Sequence, residues 1–348
     1  MIDWKLAERV ASTVSGATAA SPPIDAALNR LAGDAAQRVA RYTALTPATP
    51  LPPPESVDRD EWVRANLGSM RPLVEPLMAS VGQGMGVLAG PTRMLTGGLL
   101  AVQIGGLLGF MSQRVLGQYE LTMLDPESPT RLLFVAPNLA RAASELGADP
   151  DQLLAWVTFH ETTHAVQFAG VPWLRGHVAG LVRELLDSVE VKVDTAALRK
   201  LPTAGDLRQL IAALREGGLL TALAGPERRR IIDALQATMA IIEGHAEHVM
   251  DVVGAESLPS LDDLRASLDR RRRSRPPLMR VLERLLGLEL KLRQYEVGKR
   301  FCDAVVARGG IEALNQVWSS PAALPSLAEL DRPEEWLSRL RLAPAPAA

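Results

Sequence analysis

Val157-Thr-Phe-His-Glu-Thr-Thr-His-Ala-Val-Gln167 contains an HExxH motif made by His160, Glu161 and His164. Residues four apart lie on one face of an α-helix, so the two imidazoles can reach the same metal ion. Glu161 lies about 100° around the helix from His160, where its carboxylate can contact a water on the metal. The stretch therefore predicts a zinc site with a general base beside it.

The flanks predict the helix that this geometry requires. Asp149 is a good N-cap, and Pro150 suits the first helical position because an N–H is not needed there. Gly170, followed by Pro172, is a stop signal, so we expect a helix over residues 150–169. One stripe of this helix is apolar at both ends and holds the imidazoles in its middle: Leu153, Trp156, Val157, His160, His164, Gln167 and Phe168.

A catalytic zinc takes three protein ligands and keeps one position for water, so a third ligand must come from elsewhere in the chain. Gln167 and Gly170 stand where the HExxHxxGxxH class has Gly and His, which excludes that class and favours a Glu. Segment 241–251 is the strongest source, because it contains three carboxylates and two His within nine positions. It continues an apolar helical pattern that begins near Arg230.

Glu243-Gly-His-Ala246 resembles the Glu-Gly-x-Ala of the gluzincin metallopeptidases, in which a Glu on a second helix completes the zinc site. The resemblance implies that Glu243 is the third ligand and that Glu247, one turn later, holds a zinc-binding His by its other ring nitrogen. Glu247 and Asp251 repeat the spacing, so a register with Glu247 as ligand and Asp251 as its support stays open. His245 and His248 point away from the Glu243 face or to its margin, and His248 is either a substrate contact or a structural histidine.

Several stretches outside the helix motif carry a wider resemblance: Ile2-Asp-Trp-Lys-Leu-Ala7, Val57-Asp-Arg-Asp-Glu-Trp-Val63, Val115-Leu-Gly-Gln-Tyr119, Glu243-Gly-His-Ala-Glu-His-Val-Met-Asp251, Lys291-Leu-Arg-Gln-Tyr295, Asn315-Gln-Val-Trp318 and Pro325. With the HExxH segment they make the chain similar to the zincin-like family of hydrolases and zinc-dependent metalloproteases. One branch of that family is associated with biosynthesis of the deazaflavin coenzyme. The resemblance implies a zincin-like core with a minimal sheet and large helical additions.

Composition indicates a soluble, mostly helical protein. Hydrophobic residues make up 47% of the 348 positions and aromatic residues only 4%, which predicts a predominantly α fold, α+β at most. The single cysteine, Cys302, excludes a disulfide framework and fits a reducing compartment. No secretion signal opens the sequence, so we expect a cytoplasmic location. A net charge of −2 predicts no nucleic-acid partner, and the basic cluster at 270–273 is interpreted as a solvated loop.

The chain is expected to divide into four parts. Residues 1–45 form a helical N-terminal extension and residues 46–56, rich in proline, form a stiff linker. Residues 57–342 form the zincin-like catalytic domain, and residues 343–348 form a disordered tail. Within the domain, run 94–113 lacks charge over 20 residues but contains five Gly, which favours a buried helix over membrane association. The spacing of Gly105 and Gly109 lets another helix approach closely.

The residues predict a mechanism. Zinc on His160, His164 and Glu243 would lower the pKa of water to about 7, and Glu161 would take the proton and pass it to the leaving amine. Candidate second donors to the oxyanion, besides the zinc, are Tyr295, Arg293 and His248, with Tyr295 preferred. Segment 131–136 is the best candidate for the edge strand that holds substrate in most zincins.

These observations predict a zinc-dependent hydrolase of gluzincin type, with one Zn²⁺ per chain, acting on a peptide or other amide bond. The main alternative is a non-catalytic zinc-containing scaffold that binds a protein of a cofactor-biosynthesis pathway. Glu161 argues against it, because a structural site needs no general base between its two His. A further alternative is a membrane-associated hydrolase that uses run 94–113.

Overall fold

The protein is described from a computed structural model that covers residues 2–16, 23–83, 89–120, 128–188, 226–255, 266–267 and 288–341, with backbone alone at 76–83, 89–96 and 288–295. Its longer helices are α1 (Trp4–Ser15), α2 (Asp25–Thr43), α3 (Arg59–Gln83), α4 (Ala89–Ser112), α5 (Ala136–Leu146), α6 (Pro150–Gly170), α7 (Pro172–Asp187), α8 (Pro226–Ala255) and α9 (Leu288–Asn315). Two short helices follow, α10 (Leu327–Leu330) and α11 (Pro333–Arg339), after two 3₁₀ turns at Gln316–Trp318 and Pro321–Ala323. The predicted predominantly α fold is confirmed.

A small sheet of three strands accompanies the helices in the described residues. The strands are β1 (Pro54–Val57), β2 (Gly117–Glu120) and β3 (Arg131–Val135), in the order β1-β3-β2. β1 runs parallel to β3, with Val57 opposite Val135, and β2 runs antiparallel to it, with Tyr119 opposite Leu132. β2 therefore lies at one edge of this sheet.

The expected strand at 131–136 is present as β3, but its expected edge position is wrong. β3 is the central strand, and Leu133, Phe134 and Val135 are fully buried. A strand covered on both faces needs an unbroken apolar run, whereas a half-exposed edge strand alternates apolar and polar residues. The continuous Leu-Leu-Phe-Val sequence is typical of the central position.

The N-terminal 45 residues contain α1 and α2, and both pack on the rest of the protein. α2 lies against α6, where Leu28 joins a core cluster with Leu153 and Trp156. The Pro-rich segment 46–56 that follows enters the sheet at its end, because β1 begins at Pro54 and pairs with β3. The Ala48 N–H also donates to the Ala169 carbonyl at 2.8 Å. The segment thus contacts the end of α6 and the sheet.

Run 94–113 forms most of α4, which buries one face against α1 and leaves Leu99 and Val102 exposed on the other side. A Cβ placed on Gly105 would collide with the Ala7 carbonyl, and one on Gly109 would lie 2.5 Å from the Ala11 carbonyl oxygen. These glycines let the α1 and α4 backbones approach closely. In the part of the chain that is described, no helix has both the length and the apolar character to cross a membrane. The basic cluster 270–273 and the tail 343–348 lie outside the described residues.

Helix α6 begins and ends where its sequence predicts. The Asp149 side chain accepts from the backbone N–H groups of Asp151 and Gln152, and Pro150 occupies the first turn. The helix ends at Gly170, and Pro172 begins α7. α6 is buried along most of its length, between α2, α8 and the sheet.

Helix α8 packs against α9 through two glycines. A Cβ on Gly298 would overlap the Ala240 carbonyl, and one on Gly244 would overlap the Gly298 backbone. The two helix backbones therefore touch at this crossing. Beside the contact, Lys299 of α9 donates to Asp251 at 2.8 Å and to Asp303 at 2.6 Å.

We expect Gly298→Ala to lower the free energy of unfolding by about 2 kcal/mol, because the added methyl group must push α8 and α9 apart. Urea unfolding of the purified variant measures this. Gly33→Ala in α2 is the matched control, since nothing lies within 4 Å of the added Cβ. The control is expected to gain up to about 1 kcal/mol from higher helix propensity. Equal gains in both variants would contradict a tight crossing.

Candidate metal centre

Two helices bring three potential metal ligands together. His160 and His164 project from one face of α6, and Glu243 comes from α8. Glu243 Oε2 lies 3.3 Å from His164 Nε2 and 3.9 Å from His160 Nε2. One ligand atom from each of the three side chains lies within 4.8 Å of the others. The structure thus places the HExxH imidazoles and the predicted third ligand around one point.

The spacing of these atoms fits a tetrahedral zinc ion. Ligands at 2.0–2.1 Å from zinc stand about 3.4 Å apart when the geometry is tetrahedral. Glu243 Oε2 is 3.3 Å from His164 Nε2, close to that value, and 3.9 Å from His160 Nε2, so a bound ion would draw His160 and Glu243 slightly closer together. The three side chains are only 11–14% exposed, so the site is shielded yet reachable. Two imidazoles and one carboxylate are also a donor set that zinc binds in catalytic sites.

The electrostatics of the site favour a cation between the ligands. Burial by itself lowers the pKa of His164, but the Glu243 carboxylate, with smaller contributions from Glu161 and Gln167, raises it to about 9. At neutral pH the metal-free pair therefore holds a proton on His164. A divalent ion would replace that proton and keep the Glu243 charge compensated.

Glu161 lies beside the ligands and is held by the edge strand. Its Oε2 accepts a hydrogen bond from the Tyr119 backbone N–H at 2.9 Å. Gly117, two residues earlier on β2, allows this approach, because a Cβ there would lie 2.7 Å from Glu161 Cγ and 2.8 Å from Val157 Cγ1. The Glu161 carboxylate is thus held by a backbone group of β2.

The other ring nitrogen of His164 contacts Gln167. His164 Nδ1 lies 3.3 Å from Gln167 Oε1, so for this imidazole Gln167 occupies the role that the sequence suggested for Glu247. Glu247 lies half-buried one turn beyond Glu243 on α8, and among the described residues it is not part of the metal cluster. Asp251 forms its ion pair with Lys299. The geometry favours the register in which Glu243 is the third ligand.

Of the remaining predicted site residues, the structure describes the side chain of His248 but not those of Tyr295 and Arg293. His248 is buried, with Nε2 2.8 Å from the Tyr42 hydroxyl and Nδ1 2.7 Å from Asp303, so both ring nitrogens have partners within the protein. This network connects α2, α8 and α9. Tyr295 and Arg293 fall in the first part of α9, where the side chains lie outside the described residues.

Three features of the site were missed by the sequence reasoning. Gln167 was recognised on the functional stripe but given no role, although its place one turn after His164 was a usable signal. His245 was expected to point away from the site, yet its Nδ1 lies 3.3 Å from Gln167 Nε2. It is fully buried, and burial, with His248 and His164 nearby, lowers its pKa to about 3, so it is neutral. The Tyr119 N–H is a backbone group, so no residue type in the sequence indicates its role.

Comparison with known proteins gives two matches. A family model described as zincin-like metallopeptidase matches residues 2–337. A solved structure, described as a presumed hydrolase with a novel fold from Chloroflexus aurantiacus, is similar to the chain with a TM-score of 0.72 and 32% sequence identity. The match covers 98% of this chain and 99% of that one. No curated protein sequence matches significantly. The likeness thus includes the N-terminal helices as well as the metal helices.

Glu243→Gln and Glu247→Gln form a matched pair that identifies the third ligand. We expect Glu243→Gln to weaken zinc binding by more than about a hundredfold, because a ligand is lost, and Glu247→Gln to weaken it by no more than about tenfold. Competition with a chromophoric chelator measures both affinities. The reverse ranking would place Glu247 in the ligand set.

Proposed function

The chain belongs to the zincin-like metallopeptidase family, and from this premise we propose that it is a zinc-dependent hydrolase that cleaves a peptide or other amide bond. The family and the similar structure support a metal-dependent hydrolase in general terms. The observation that carries the proposal is the convergence of His160, His164 and Glu243, with the carboxylate of Glu161 held beside them by the Tyr119 N–H. A ligand set and an oriented base together are what hydrolysis by an activated water requires.

Each residue has a defined part in this proposal. His160, His164 and Glu243 hold the ion, which when bound supplies a Lewis acid and brings the pKa of water to about 7. Glu161 takes a proton from the attacking water, and we assign this step to Oε1, because Oε2 accepts from Tyr119. The water oxygen bonds to the substrate carbonyl carbon, the C–N bond breaks, and Glu161 returns the proton to the leaving nitrogen.

The placement of Glu161 also bears on the scaffold alternative. A purely structural zinc site needs ligands and groups that orient them, but no carboxylate fixed beside the imidazoles. Here a strand N–H and a glycine contact orient Glu161 without making it a ligand of the cluster. This arrangement favours hydrolysis. The deazaflavin branch and a pathway protein partner stay predictions, as do the peptide substrate and a cytoplasmic location.

Glu161→Gln is expected to keep about the parent's zinc content and to lose hydrolysis by at least about a hundredfold, because an amide cannot take the proton from water. Zinc is measured by elemental analysis, and cleavage of a mixed peptide library by mass spectrometry on the same samples. Glu145→Gln removes a half-exposed carboxylate on α5 and serves as the control. Full cleavage by Glu161→Gln would overturn the assigned base. A parent that binds zinc but cleaves no amide would favour the scaffold.

Gly117→Ala tests whether β2 fixes the base. The new methyl group would collide with Glu161 Cγ and Val157 Cγ1, and a displacement of about 1 Å can cost about a hundredfold in rate. We expect kcat to fall by about tenfold to a hundredfold with zinc content unchanged. A parallel loss of zinc would instead show that the contact holds α6 itself in position.

A further inference from the structure

Gln167 is a fully buried polar side chain between the two metal helices. It lies on α6 one turn after His164, and its amide touches three groups. Oε1 is 3.3 Å from His164 Nδ1, and Nε2 is 3.3 Å from both the Ile242 carbonyl oxygen and His245 Nδ1. Two of these three partners belong to α8, one residue before and two residues after Glu243 in the sequence. The amide thus bridges α6 and α8.

The Ile242 carbonyl fixes the orientation of this amide. A carbonyl oxygen can only accept a hydrogen bond, so the amide atom facing it must be the nitrogen. The amide NH₂ has two N–H groups, and the second is directed to His245 Nδ1. Both donors are then used, and Oε1 must face His164. Rotating the amide by 180° would place Gln167 Oε1 against the Ile242 carbonyl oxygen, and two acceptors repel each other.

This orientation determines the tautomer of His164. Because Gln167 Oε1 can only accept, His164 Nδ1 must carry a hydrogen and donate it. Nε2 is then the nitrogen that would bind an ion in place of its proton, on the side of the ring where Glu243 Oε2 lies 3.3 Å away. A metal-binding His commonly has its tautomer set by a hydrogen bond at the other ring nitrogen. Here the group that sets it comes from the same helix.

We propose that Gln167 is a positioning residue for the metal site, which holds His164 in the metal-binding tautomer and ties it to the α8 segment carrying Glu243. The inference rests on the proposed function only in requiring that the three ligands bind a metal ion. It predicts that the amide oxygen, rather than the volume of the side chain, maintains metal affinity.

Gln167→Met and Gln167→Glu separate these two roles. Met keeps the length of the side chain but cannot accept from His164, so zinc affinity should fall by about tenfold to a hundredfold. Glu keeps an oxygen acceptor for His164, and its buried carboxyl can take a proton and donate it to the Ile242 carbonyl, so its affinity should stay within about tenfold of the parent. The readouts are zinc affinity by chelator competition and the visible absorption spectrum of bound Co²⁺, which reports ligand geometry. Met should change that spectrum.

Thr158→Val is the control, because Thr158 is buried on the same helix and its hydroxyl donates to the Leu154 carbonyl of that helix. It should leave zinc affinity and the Co²⁺ spectrum unchanged, whatever it does to the melting temperature. Parent-like zinc affinity in Gln167→Met overturns the proposal. So does a hundredfold loss in Gln167→Glu, which also decides the question if Gln167→Met fails to fold.

These measurements use no substrate, so they separate this proposal from the proposed hydrolase. A parent chain that binds zinc, cleaves no amide and loses affinity in Gln167→Met supports the role of Gln167 while the hydrolase fails. A parent chain that cleaves peptides and shows no effect in Gln167→Met gives the opposite result. A parent that binds neither Zn²⁺ nor Co²⁺ overturns both.

Discussion

The site depends on how closely α8 can approach its neighbours. Three ligand atoms must converge on one point to share a zinc ion, and they come from two helices, with Glu243 79 residues after His164 in the sequence. Glycine at 244 and 298 brings α8 into backbone contact with α9, while Gln167 connects it to α6. The α8–α9 contact is formed by backbone atoms, so no side chain can move to widen it, and Gln167 is fully buried. Glu243 is therefore held at a fixed distance from His164.

The carboxylates of the site require a positive charge beside them, either a metal ion or a proton. Glu243 and Glu161 bring two carboxylates next to imidazoles that are nearly buried, and without metal a proton on His164 provides the compensation. The neighbouring buried imidazole, His245, is neutral and accepts a hydrogen bond instead. His164 on α6 and His245 on α8 thus have pKa values shifted in opposite directions. The difference arises because the Glu243 carboxylate raises the pKa of His164, whereas burial and the nearby His248 and His164 lower the pKa of His245.

Sequence alone predicted the parts of this site that are set by local rules. The ends of α6 follow from Asp149, Pro150 and Gly170, and helical periodicity places both imidazoles on one face. What it could not provide were contacts between elements distant in the chain. The role of Gln167 depends on the carbonyl of Ile242. Because every residue has a backbone carbonyl, the sequence does not indicate which one Gln167 contacts. Segment 131–136 was expected at the edge of the sheet, but its continuous apolar run is typical of a strand that is buried on both faces.

The small sheet has a role at the metal site, although the protein is predominantly helical. The proposed general base, Glu161, needs a donor that keeps its carboxylate in one orientation, and a helix interior has no free N–H to offer, since its N–H groups are used within the helix. An antiparallel edge strand presents alternate N–H groups outward. β3, buried on both faces, anchors β2, and β2 directs the Tyr119 N–H to Glu161. Because this donor belongs to the backbone, no substitution at Tyr119 other than proline removes it. The position that controls it is Gly117, where the absence of a side chain lets strand and helix meet.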